Sequence, residues 1–487
     1  MTRINGLGAR HYLLAAIVVL AGTALFWVVY RTTGPAMICA IYRGESGALT
    51  NHLIPRRDQL PLSYYLDKSD RLARRVSITA LFVALTLIWP QPRRTFIVAR
   101  PIFLVSLIGL FAALIFPTIR FTSSPDTSNF LSCAEHVLHG GGFVSTGFGE
   151  AAFEESVRKG GAVITRVSPR PVPYTHWPPL YPLAVAGMMA LTHANASTAA
   201  TWLNGFLLAA FLILFCRALV PALTPELFSA GLLATYLLIL LPSIEGAFSY
   251  LGPELLFVVI CLGTLLILQR FVDSLEGVPW KRWATLAMCA SLTSLALLTK
   301  YVGVTMLAMG LLAIWMQPWC RKRGGVFQKA IQTGFFCALA IGPIVPWLIR
   351  NRRLTGFWSG GNRPPGSGDI LGELLRVIHA SAKDLLLTDR KVIWVAMLFA
   401  CLAVLNYVWR TSSISLGHFF RRYSLCVVYP CLHGVTLAVL RSTFFFEDIG
   451  TRLMFPAYPF VLLIGVAFLI SGLGDVATRL SSRCRVS

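Results

Sequence analysis

The sequence predicts an all-α polytopic membrane protein, a bundle of about twelve transmembrane helices with two long outer loops that contain interfacial helices. Three observations lead there. Apolar residues make up 56% of the chain and charged residues 13%, against roughly 25% charged in a soluble domain. Many apolar runs approach or exceed the ~18–20 residues that span a hydrocarbon core as a helix. Those runs lack the period-two alternation of a membrane barrel, so helices alone can satisfy their backbones in lipid.

The elements follow in chain order. Arg3 and Arg10 precede an apolar run from Tyr12 to Tyr30 that is long for a signal-peptide core and lacks a clear small-residue cleavage site. It reads as a retained anchor. Further spans are expected at 76–92, 101–117, 199–220, 226–242, 250–271, 282–299, 301–318, 330–349, 391–409, 423–440 and 453–474. The segment 179–192 is apolar but short, which suits a half-crossing or interfacial helix. Two units result: extra membrane segments at 1–95, and a transmembrane domain at 96–480.

The net charge is +22. In a membrane protein such an excess reflects cytoplasmic loops and anionic headgroups, and no nucleic-acid motif accompanies it. If the loop after residue 117 faces away from the cytoplasm, the cytoplasmic turns gather Arg217, Arg270, Lys281, Arg282, Arg321, Lys322, Arg323, Lys329, Arg410, Arg421 and Arg422. The segment 31–75 departs from this bias, with eight Lys and Arg against four Asp and Glu. The eleven cysteines include no CxxC pair and read as small buried hydrophobes, with neither a metal site nor a disulfide framework.

The two long outer loops run from about 118 to 198 and from about 350 to 390. In the first, Phe130, Leu131, Ala134, Val137 and Leu138 recur at helical spacing, which predicts a helix over 127–139. In the second, Leu371, Leu374, Leu375, Ile378, Leu385 and Leu386 fall near one face, as in a helix lying on the membrane surface. Gly360, Gly361, Pro364, Pro365, Gly366 and Gly368 form a connector before it.

Under this topology Asp126, His176, Glu254, Lys300, Arg350, Asn351 and Arg452 all fall at outer helix ends or in outer loops. Each admits a bland reading. Asp126 precedes the 127–139 helix as an N-cap would, yet a carboxylate there also suits a general base. His176-Trp177-Pro178-Pro179-Leu180-Tyr181-Pro182 reads first as a rigid aromatic turn at the interface. Glu254, in Tyr250-Leu251-Gly252-Pro253-Glu254, suits a first helical turn by its charge. Lys300, Arg350 and Arg452 would snorkel to the interface, or form a cationic cradle for a phosphate. Their shared side favours function.

These residues also carry a resemblance. Pro125-Asp126, then His139-Gly140-Gly141-Gly142-Phe143, then Pro178-Pro179-Leu180-Tyr181-Pro182 resemble the first outer loop of GT-C glycosyltransferases, in particular protein O-mannosyltransferases and lipid A aminoarabinose transferases. Gly252-Pro253-Glu254-Leu255-Leu256-Phe257, Leu298-Thr299-Lys300-Tyr301, Trp347-Leu348-Ile349-Arg350-Asn351 with Thr355-Gly356, and Thr451-Arg452-Leu453 with Pro456 and Pro459 resemble later segments in the same order. The resemblance spans roughly residues 100 to 475. Thr127, Lys300 and Leu453 depart from it, standing where many relatives have Glu, Arg and Tyr.

The resemblance implies an inverting transfer of a sugar from a polyprenyl-phosphate donor to a lipid, glycan or protein acceptor. The reaction would take place on the extracytoplasmic face of the plasma (inner) membrane, among membrane lipids. It implies Asp126 as catalytic base, with His176, Tyr181, Glu254, Lys300, Arg350, Asn351 and Arg452 toward substrate, and no cofactor or nucleic acid. A transporter or lipid flippase is the alternative, and would place acids and bases near the midplane on discontinuous helices. A scaffolding protein would need no charged residues on one outer face.

Overall fold

The computed structural model describes residues 125–146, 171–219, 250–273, 279–316, 325–361, 365–386 and 424–444, with a few isolated positions beside them. The expected spans at 12–30, 76–92, 101–117, 226–242 and 391–409, most of 453–474, and the boundary at 95 lie outside the described residues. What is described is mostly helical.

The first loop folds on itself before it meets the bundle. Helix α1 spans Pro125–Leu138. Proline at a first helical position costs nothing, because its missing N–H would have had no partner within the helix. Phe130, Cys133 and Ala134 form the buried stripe of α1. The helix ends as Gly140, at φ +77°, lets the Gly140 and Gly141 amides turn back onto Val137 and His136 carbonyls, the pairing of a Schellman cap. A two-residue ribbon follows. Strand β1 (Val144–Ser145) pairs antiparallel with β2 (Val172–Pro173), Val144 opposite Pro173. The fixed turn through Pro178 and Pro179 then opens α2, Leu180–Thr192, too short to cross a membrane and packed on α1. Asn195 accepts the Thr198 amide through Oδ1 at 2.9 Å, the bond of an N-cap, and α3 runs over Ala196–Leu219.

The remaining helices form the bundle: α4 (Glu254–Asp273), α5 (Pro279–Thr299), α6 (Val304–Met316), α7 (Gly325–Ile341), α8 (Val345–Thr355), α9 (Ile370–Leu386) and α10 (Ser424–Thr443). Helix α4 packs against α3, α5, α6 and α10, and α5 against α7. Among the described residues, three stretches are long and apolar enough to span a bilayer: α4, α10 and the continuous run Gly325–Thr355. That run is broken by a 3-10 turn at Gly342–Ile344 containing Pro343, where proline removes a ladder hydrogen bond. The expected span at 330–349 is therefore longer and jointed. The one at 301–318 begins as a 3-10 turn, Tyr301–Gly303, and its α-helix covers only 13 residues.

Large apolar side chains point outward along these helices, among them Trp202, Phe206, Trp280, Trp315, Phe327 and Ile331. Such a surface is unstable in water and at home in lipid. The chain is a membrane protein.

Helix α9 lies on α10. Glu373 and Val377 face inward, while Ile370, Leu371, Leu375 and Ile378 stand outward as an apolar strip. The sequence placed Leu371, Leu375 and Ile378 together correctly. It could not show the opposite face, where Glu373 Oε2 meets Arg441 of α10 at 2.6 Å and Oε1 meets Arg376 at 2.8 Å. Backbone bonds from Gly366 to Thr443 and from Gly368 to Ser442 tie the approach to α9 onto the end of α10.

Candidate active site

Helices α4 and α5 run antiparallel, so the start of one and the end of the other share an end of the bundle. That end meets the folded loop. Glu254, in the first turn of α4, is 1% exposed and accepts a hydrogen bond from Lys300 Nζ at 3.0 Å. Lys300 follows the last residue of α5 in an extended conformation, and its side chain is 16% exposed. The carboxylate is thus held between a helix N-terminus and an ammonium group, both of which stabilise its charge.

Tyr250 stands four residues before Glu254. Its hydroxyl donates to Asp126 Oδ2 at 3.2 Å. Asp126 is half-buried in the first turn of α1. The sequence suggested an N-cap preceding a helix that starts at 127, but the helix already begins at Pro125. The carboxylate therefore complements the macrodipole from within the first turn. The turn between Tyr250 and Glu254 closes tightly. A Cβ on Gly252 would lie 2.3 Å from Tyr250 Cε1 and 2.4 Å from Glu254 Oε2, so only glycine fits.

A second group of bonds fastens the loop to the bundle. One terminal nitrogen of Arg350 donates to the Tyr174 carbonyl at 2.9 Å and the other to the Phe143 carbonyl at 2.8 Å. Its guanidinium stacks over Trp347, 4.7 Å from the ring centroid. Asn351, fully buried, donates through Nδ2 to the Thr175 carbonyl at 3.1 Å and to the Tyr301 hydroxyl at 3.2 Å. Trp347 Nε1 reaches the same hydroxyl at 3.3 Å. Thr175 in turn donates to the Gly360 carbonyl at 2.8 Å. Arg350 and Asn351 thus grip both edges of the β1–β2 ribbon, and Tyr301, next to Lys300, joins this grip to the ion pair.

The aromatic turn lies inside the same structure. Phe130, Tyr174, Trp177 and Tyr181 meet edge-on or tilted, with centroids 5.3–6.5 Å apart. Burial pushes the Tyr174 phenol well above its usual range, and neighbouring Cys133, Tyr301 and Asp126 add to the shift. The Cys133 thiol is pushed up to about 12 by burial, with Arg350 opposing. Both groups stay protonated at neutral pH. Tyr181 is fully buried, with its hydroxyl toward Asn204 Oδ1 at 3.4 Å. His176 is half-buried beside Trp177.

The structure therefore brings Asp126, Tyr181, Glu254, Lys300, Arg350 and Asn351 to one end of the bundle, with His176 in the adjoining turn. Arg452 lies outside the described residues. Two side chains in this arrangement were not singled out from sequence. Tyr250 looked like any interfacial tyrosine. Asn204 had a signal, an amide inside an apolar run, which is costly unless partnered. Among the described residues no group of His, Cys, Asp and Glu could hold a metal ion.

No family model matches the chain, and no curated protein matches it. Among solved structures, ArnT from Cupriavidus metallidurans in the apo state is similar at 13% identity and a TM-score of 0.46, over 74% of this chain and 59% of that one. The likeness is coarse. ArnT from the same organism bound to undecaprenyl phosphate gives 14% identity and a TM-score of 0.45, over 77% of this chain and 60% of ArnT. The chain thus spans less than two thirds of the ArnT length.

Proposed function

We propose that this protein is a membrane glycosyltransferase that moves a sugar from a polyprenyl-phosphate donor to a lipid, glycan or protein acceptor, on the extracytoplasmic face of the plasma membrane. The observation that carries this reading is the turn Tyr250–Glu254. Within five residues it joins a half-buried carboxylate, Asp126, to a partly exposed ammonium, Lys300. A base and a cation at one end of an apolar bundle suit a reaction whose leaving group is a lipid-borne phosphate. The donor class rests on the motif resemblance.

In the proposed step the acceptor oxygen or nitrogen attacks the anomeric carbon from the face opposite the phosphate. A bond forms between acceptor and sugar as the sugar–phosphate C–O bond breaks. The bonding electrons leave with the phosphate, and the acceptor proton passes to Asp126. Transfer therefore inverts the anomeric centre. Lys300 faces the charge that grows on the phosphate, the place where fixed cations accelerate most. Glu254 holds Lys300 in position. Arg350 and Asn351 act through the ribbon they grip, Tyr181 and His176 through the aromatic turn, and Arg452 is proposed beside Lys300 as a second cation toward the phosphate.

Asp126→Asn tests the reading. Asn preserves size and gives up the helix-dipole interaction, a cost of about 0.3–1 kcal/mol, so the variant is expected to fold. Transfer from radiolabelled undecaprenyl-phosphate-linked sugars should fall roughly 10²–10⁴-fold. Undecaprenyl phosphate should still bind. Near-normal transfer would remove Asp126 from catalysis. Transbilayer movement of the labelled lipid without turnover would establish the flippase instead.

A further inference from the structure

We propose that Tyr250 is a positioning residue for the base, with its hydroxyl setting the orientation of the Asp126 carboxylate and Asn204 holding Tyr250 in place. The inference rests on the reading of Asp126 as the proton acceptor.

The geometry fixes Tyr250 from three sides. Its hydroxyl donates to Asp126 Oδ2 at 3.2 Å. Its carbonyl accepts from Asn204 Nδ2 at 3.0 Å, and Asn204 Oδ1 accepts from the Tyr181 hydroxyl at 3.4 Å. The edge of its ring fills the space beside Gly252 where any Cβ would stand. Tyr250 is 7% exposed and Asn204 2%, so neither side chain is free to swing. An amide buried in an apolar helix is retained where both its polar ends are used. Both ends of Asn204 are used here, one on the Tyr250 carbonyl and the other on the Tyr181 hydroxyl.

A carboxylate on a single χ2 torsion rotates broadly. A phenol held rigidly against Oδ2 removes that freedom and presents the plane of the carboxylate in one direction. A base confined to the right orientation gains rate by the same means that proximity does. Tyr250 does not itself touch the transferred proton. Its loss should therefore reach catalysis only through Asp126.

Two measurements on the full-length protein in lipid nanodiscs test this. In the first, 3-fluorotyrosine replaces Tyr250 and its fluorine resonance is compared in the otherwise wild-type protein, in Asp126→Asn and in the remote control Asp273→Asn. The resonance should move in Asp126→Asn and stay in place in the control. A resonance that Asp126→Asn leaves in place, or that both variants move equally, overturns the contact whether or not any transfer is detected. The second compares Tyr250→Phe, Asp126→Asn and the double variant with a panel of radiolabelled undecaprenyl-phosphate-linked pentoses and hexoses. Tyr250→Phe keeps the ring and should fold. It should lower kcat about tenfold to a hundredfold, the usual weight of a hydrogen bond to a charged group, at an unchanged donor KM. It should add no further loss to Asp126→Asn, and the 3-fluorotyrosine protein should recover the activity that Phe loses. A wild-type kcat in Tyr250→Phe, beside an inactive Asp126→Asn, overturns the role of Tyr250 alone. An active Asp126→Asn overturns the base itself and this inference with it.

Discussion

Lys300 and Glu254 show how an individual charge survives at the edge of an apolar bundle. The carboxylate is 1% exposed and the ammonium 16%, so each lowers the cost of burying the other. Glu254→Gln keeps the size and removes the charge. It should lower stability by about 1.5–3 kcal/mol, the weight of a charge-assisted hydrogen bond, and leave Lys300 loosely held. Lys300→Ala should weaken binding of undecaprenyl phosphate more than Glu254→Gln does, as microscale thermophoresis can compare. Equal affinity for Lys300→Ala and wild type would leave Lys300 as a structural partner of Glu254. Arg350 calls for a different expectation. A lysine cannot bond two carbonyls and stack on Trp347 at once. Arg350→Lys should loosen the ribbon, raising protease cleavage within 140–175 at constant expression. Unchanged cleavage would remove the clamp. Asp126, Glu254 and Lys300 were legible as residues because charge at an apolar border is conspicuous. The bonds of Arg350 were not, since its acceptor carbonyls belong to residues 207 and 176 positions away and carry no sequence signature. The sequence suggested Arg350 for a phosphate cradle, and the structure adds two backbone carbonyls as its partners.

At the scale of elements, the helical period located α1, α2, α9 and the described parts of the bundle within a few residues, because a one-sided apolar stripe or a long apolar run determines a helix directly. Pattern alone missed the joints. The break at Gly342–Ile344 has a local signal in Pro343 that counting apolar residues passes over, and the same counting passes over the 3-10 start of α6. For α9 the sequence showed the apolar strip and hid the docking face. Glu373 is 2% exposed between Arg441 and Arg376. Glu373→Gln should therefore leave the Arg441 charge poorly compensated, at a cost of about 1.5–3 kcal/mol, and free α9 from α10. Amide hydrogen exchange should then accelerate over 370–381 while α4 stays protected. Equal exchange in both proteins would show that Val377 and the backbone bonds of Gly366 and Gly368 suffice to dock the helix.

At the scale of the whole molecule, Glu254, Lys300, Arg350 and the ribbon gather at one end, while Arg270, Lys281, Arg282 and Lys329 mark the opposite ends of the same helices. The proposed topology puts that second end in the cytoplasm, as the positive-inside rule expects. Cysteines placed at the exposed positions His139 and Ser367, in a background stripped of native cysteines, should react with an impermeant maleimide in intact cells. One at Lys281 should react only after lysis. The reverse pattern would put the site in the cytoplasm. The jointed run Gly325–Thr355 has 31 residues, about 45 Å at a helical rise, against a hydrocarbon thickness of about 30 Å. A run starting at the opposite interface would therefore carry its far turns, with Arg350 and Asn351, to the depth of the lipid headgroups. A donor anchored by its own tail would already carry its phosphate at that height and would need only to drift sideways. Encounter would then be a search in two dimensions. Turnover would follow the surface density of donor in the leaflet, and diluting the membranes in buffer would leave it unchanged.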